Sequence, residues 1–248
     1  MSLAVASLRG RAARRKVAPT VTVAIWLLFL VPLGLALAAQ GLLKSVFRRY
    51  RTVPNHAGAT GADVARALLD AHGLQDVRLE LAPGFLSDHY DGEARALRLS
   101  EVVARERSVA ALGIAAHEVS HAYQDAEGSR AYRARHSIGE QLAQIAPWSG
   151  LFLIGGFWFG VPLLVALSLV FVGGLVLFAL ATLPVEIGAS RRALILLRET
   201  RLADDREGRG VRRVLTAAAL TYVVGLLDRL GFFLVLLFIA EGARRAAA

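Results

Sequence analysis

The residues with the clearest chemistry are His117-Glu118-Val119-Ser120-His121. Histidines at i and i+4 lie one turn apart on the same helix face, where both imidazoles can grip one metal ion. Glu118 stands beside them, placed to take the proton of a metal-bound water. The chain has no cysteine, which excludes thiolate metal sites, zinc ribbons, disulfide scaffolds and cysteine nucleophiles. Any metal is therefore held by His, Asp or Glu. A catalytic zinc takes three protein ligands and keeps one position open. The metzincin pattern needs a glycine and a third histidine three and six residues after the second; Gln124 and Glu127 stand there, so that class is excluded. His136, Glu127, Glu140 and Glu186 remain as candidates for the third ligand. The bland alternative is a helix with two solvated or core histidines. Ala110, Ala111, Ile114, Ala115 and Ala116 argue against it, because they mark a buried helix in which unpaired His and Glu would be costly.

The elements that must position these residues begin with residues 44–140, which read as one small α+β unit. Thr60 followed by Asp63 forms a helix start, Val64, Leu68 and Leu69 supply its apolar face, and Gly73 ends it. Val77–Leu81 alternates with period two and predicts a strand; Ala94–Leu99 predicts a second, with Arg95–Leu99 able to offer an open edge to an extended peptide. Between them the polar cluster Ser87–Gly92 reads as a loop and contains His89. Ser108 caps the helix over Val109–Ala126 that carries the histidine pair. A peptide-hydrolysing site also needs a donor for an oxyanion, and His89, Tyr90 and Tyr222 are the candidates.

The rest of the chain is built for lipid. Of 248 residues 55% are hydrophobic, the mean hydropathy is +0.49 and the net charge is +9. The basic residues, all Arg except Lys16 and Lys44, flank apolar runs, which favours a bilayer surface over nucleic acid as the partner. Val21–Leu43 is charge-free and long enough to span; it reads as an uncleaved anchor in preference to a signal peptide. No charged side chain occurs between Glu140 and Glu186, a run of roughly 68 Å as helix and about twice a bilayer core. Two spans with a turn near Phe159–Pro162 fit that length, and such a hairpin returns Glu186 to the side of His117 and His121. Val214–Ala240 is apolar but interrupted by Asp228 and Arg229, and is either one kinked span or an amphipathic helix followed by an interfacial one. The expected division is a basic segment at 1–20, an anchor at 21–43, the polar unit at 44–140, a hairpin at 141–185, an Arg-rich segment at 186–213 and a C-terminal apolar region at 214–248.

Read together, Thr60–Ala65, Leu86–Asp91, Ala115–Ala122, Leu183–Ala193 and Ala217–Tyr222 resemble the YugP-like membrane zinc metallopeptidases, in order, from about residue 50 to 225. The resemblance implies a small zincin-like domain in a mainly α-helical membrane protein. It further implies a gluzincin-like Zn2+ site with His117 and His121 as ligands, Glu186 as third ligand and Glu118 as base. The layout is also similar to the HtpX and CAAX-prenyl peptidases. Two positions depart: Ser120 stands where the family usually has glycine, and Ser190 stands where HtpX-type peptidases carry an aspartate, which leaves the support of one zinc-ligating histidine unassigned. The expected function is a membrane-anchored metalloendopeptidase acting on polypeptides near the bilayer; the rival is a metal-binding membrane scaffold without turnover. Basic residues on the zinc side of the spans outnumber those opposite by roughly two to one, which predicts a multi-pass inner-membrane protein with its zinc domain in the cytoplasm.

Overall fold

The structure, a computed structural model, describes residues 19–247, a number of helical side chains excepted; the basic segment at residues 1–18 lies outside the described residues. The chain is mainly helical, with one small sheet among the described residues. Helix α1 (Pro19–Arg51) leads into the polar unit, where α2 spans Gly61–Ala71. A reciprocal cap starts α2: Thr60 Oγ1 accepts from the Asp63 amide at 3.1 Å while the Asp63 carboxylate accepts from the Thr60 amide at 2.9 Å. Gly73, at φ 75°, turns the chain out of the helix.

Strands β1 (Arg78–Ala82), β2 (His89–Asp91) and β3 (Ala96–Ser100) form a sheet ordered β1-β3-β2, with β1 parallel and β2 antiparallel to β3. This corrects two expectations. The Ala94–Leu99 strand is central, so Arg95–Leu99 offers no open edge; successive residues Ala96 and Leu97 are both fully buried, which requires cover on both faces. The edges are β1 and β2, and β2 lies inside the cluster read as a loop, so His89 lies on a strand. Short helix α3 (Glu101–Arg105) follows, capped by Ser100, and then α4 (Val109–Ala126), capped by Ser108. Helix α4 runs through the core with Leu112, Ala115, Ala116 and Val119 essentially inaccessible. Together with Leu68, Leu69, Leu97 and Leu99 they form one apolar cluster, each leucine worth about 1.5–3 kcal/mol of burial.

Three long helices complete the molecule: α5 (Arg130–Trp158), α6 (Pro162–Glu199) and α7 (Asp205–Ala247). The α5–α6 turn occupies residues 159–161, with Gly160 at φ 65° and Pro162 opening α6, where its missing amide hydrogen costs nothing. Small residues let the helices touch. A Cβ on Gly156 would meet the Val165 amide nitrogen at 2.9 Å, and one on Gly231 of α7 would meet the Leu28 carbonyl oxygen of α1 at 2.5 Å. Tyr50 of α1 meets Arg213 of α7 at the other end, so these two helices run antiparallel. Among the described residues, Trp26–Arg51, Pro162–Glu199 and Asp205–Phe238 are long and apolar enough to cross a membrane. Trp158, Phe159, Leu163 and Val170 stand more than half exposed on the hairpin, a surface suited to lipid. Asp228 and Arg229 do not break α7: the Arg229 guanidinium folds back and donates to the Gly225 carbonyl at 3.0 Å. The helices also continue past the points where charge begins and ends, α1 beyond Leu43 and α6 beyond Val185.

Candidate metal centre

Helix α4 presents His117 and His121 on one face, their rings 4.8 Å apart. Helix α6, returning from the hairpin, brings Glu186 against them. Its Oε2 lies 3.3 Å from His117 Nε2 and its Oε1 3.7 Å from His121 Nε2. One ligand atom from each of the three residues falls within 4.8 Å of the other two. Glu186 is buried, and its Oε1 has no hydrogen-bond partner, although Arg135 of α5 brings a guanidinium nitrogen to 2.6 Å without hydrogen-bond alignment. A buried carboxylate oxygen left short of partners, facing two imidazole nitrogens, fits a cation better than it fits an apolar interior. Two His and one Glu with an open side is the donor set of a catalytic zinc site.

Three residues not singled out as site residues by the sequence hold this arrangement. Gln124 accepts from His121 Nδ1 at 2.9 Å and donates through its own amide to the Val185 carbonyl of α6 at 3.1 Å. Because an amide oxygen only accepts, the hydrogen of His121 sits on Nδ1 and the Nε2 lone pair faces Glu186. Gly188 makes room for this bridge; a Cβ there would meet the Gln124 side chain at 3.3 Å. Ser190 Oγ lies 3.3 Å from His117 Nδ1, so the serine occupies the supporting position left unassigned. Arg135 supplies the positive charge beside Glu186. Ser120 is inaccessible and donates to the Ala116 carbonyl at 2.7 Å, which explains why a residue slightly larger than glycine fits. Of the other candidate ligands, Glu127 caps α4 and pairs with Arg192 at 2.9 Å, while the side chains of His136 and Glu140 lie outside the described residues.

Burial dominates the electrostatics. It pushes Glu118 up to about 7, His117's positive charge opposing and the Glu186 charge assisting. His121 is pulled down to about 3 by burial and then by the charge of His117, leaving a neutral imidazole suited to ligation. Burial also pulls His117 down, but the Glu186 hydrogen bond and the Glu118 charge outweigh it and the net direction is up.

The site opens into a cavity of about 550 Å3 lined by His117, Glu118, His121, β2 and Tyr222. His89 is on its wall, with Nδ1 donating to the Ser87 carbonyl at 2.8 Å, so its Nε2 donates only when the ring is charged. Tyr90 is buried and its hydroxyl is engaged by Asp125 at 3.1 Å. Tyr222, from α7, brings a phenol to the same cavity.

Residues 25–241 match the family described as "Putative neutral zinc metallopeptidase". The chain is 40% identical over 214 residues to the "Putative membrane protease YugP" of Bacillus subtilis (strain 168), covering 85% of this chain and 95% of that protein. No solved structure matches the chain.

Proposed function

The chain belongs to the family described as "Putative neutral zinc metallopeptidase", and from that premise we propose that it is a membrane-anchored, gluzincin-like endopeptidase with zinc held by His117, His121 and Glu186. The observation that carries the reading is the convergence of two imidazole Nε2 atoms and both Glu186 oxygens at the edge of one cavity. When bound, zinc would lower the pKa of a coordinated water to about 7 and polarise the scissile carbonyl. Glu118 takes the proton of the attacking water and passes it to the leaving amine; burial sets it near 7, where a base can also act as an acid. Tyr222, whose phenol reaches the same cavity, donates to the developing oxyanion. The extended substrate pairs along β2, the edge strand whose three residues all line the cavity. Helices α1, α5, α6 and α7 hold the unit at the inner membrane, so the substrate is a polypeptide in or close to the bilayer.

The test has two arms. His117→Ala, His121→Ala and Glu186→Ala should each lose most of the copurifying zinc. Glu118→Gln should keep it and lose proteolysis of an unfolded membrane protein by at least ~100-fold. Near-stoichiometric zinc in the first set would overturn the ligand assignment. Unchanged cleavage by Glu118→Gln would overturn the role of Glu118.

A further inference from the structure

Between the C-terminal half of α6 and the N-terminal half of α7 lies a second hollow, a groove of about 1190 Å3. Arg191 of α6 and Arg209 and Arg212 of α7 line it. All three are exposed, and none makes an ion pair or side-chain hydrogen bond among the described residues. The acidic side chains of the groove, Glu199, Asp204 and Asp205, belong to the end where the two helices join, and Arg198 reaches Asp205 there at 3.8 Å. Like charges gathered from two helices repel unless an anion lies among them. The lining is not only basic: Ile187 and Ile195 also line it, 38% and 53% exposed. The groove starts where the charge-free run of α6 ends at Val185 and that of α7 begins at Val214, which is the level of the headgroups if these helices span.

We propose that this groove binds an anionic phospholipid, its phosphate between Arg191, Arg209 and Arg212 and an acyl chain over Ile187, on the bilayer side of Arg191. A free phosphate would satisfy the arginines and leave Ile187 in water; a phospholipid covers both, with its chain leading toward the bilayer. Ser190 lines the same groove and contacts His117, so the lipid would sit one residue from the support of the metal centre. The inference requires the helices to lie in a bilayer and is independent of peptidase activity.

Full-length protein in detergent, titrated with phosphatidylglycerol or phosphatidylcholine and weighed intact by native mass spectrometry, tests it. The wild type should retain phosphatidylglycerol about tenfold or more over phosphatidylcholine. R191Q/R209Q/R212Q should lose that preference, while R48Q/R49Q/R130Q, an equal loss of exposed charge elsewhere on the same side, should keep it. Equal loss in both variants would mean diffuse attraction and overturn the site. Competition by glycerol phosphate as effective as by the lipid would mean a phosphate site only, and retained RNA lost with the same three arginines would mean a nucleic-acid surface; either overturns the lipid assignment. If the triple variant does not fold, R191Q and R212Q singly carry the test, each expected to lose part of the preference. Extraction of the wild type from membranes without detergent would instead overturn the bilayer reading, and zinc retention reports separately on the metal centre.

Discussion

At the scale of single residues, the informative position is Gln124. In the sequence it serves only to exclude the long histidine pattern; in the structure it fixes which nitrogen of His121 carries the hydrogen and ties that histidine to the backbone of α6. No local signal could have found it, because its second partner is 61 residues away. His117, Glu118 and His121 were legible because helix periodicity alone places them on one turn. Gln124→Ala should lower zinc affinity by about 10–100-fold with the fold intact, read by competition with a chelator. Glu118 makes a second prediction. Its pKa in the fold, about 7, lies above the ordinary 4.5, so the protonated form is favoured by folding. That contribution is fully present below pH 4.5 and is lost as the pH rises through 7. Metal-free Glu118→Gln should therefore be more stable than metal-free wild type at pH 8, by on the order of 2–3 kcal/mol, with the gap closing toward pH 4 in thermal melts.

At the scale of elements, caps and apolar periodicity located α2 and α4, and the break at residues 159–161 lies where the glycine and proline residues placed it. Strand β2 was missed because three residues are too few for an alternation to declare itself, and Tyr90 is its only buried residue. Sheet order was not legible either: chain order is β1, β2, β3, but β3 inserts between the other two, and only its double-sided burial reveals it. Two substitutions test the elements. Thr60→Ala removes the cap of α2 and should cost about 1 kcal/mol in a denaturation experiment. Gly231→Val forces side-chain atoms against the Leu28 carbonyl of α1 and should destabilise the detergent-solubilised protein by about 1–3 kcal/mol.

At the scale of the whole molecule, charge and backbone report different things. Lys44 and Glu186 mark where the apolar runs of α1 and α6 stop, while both helices continue unbroken beyond those marks, so the polar unit and the long helices share elements. The excess of basic residues on the side of the metal centre predicts that this side is cytoplasmic. A reporter active only outside the cytoplasm, fused after Arg130, should be silent; strong signal would put the site on the outer face. The shared elements also bear on biosynthesis. His117 and His121 precede the hairpin and Glu186 follows it, so a nascent chain released before its second hairpin arm is made carries two of the three donors. The same holds for a polar unit excised from its helices. On the proposed ligand assignment, the donor set is therefore complete only once α6 has been made and packed against α4.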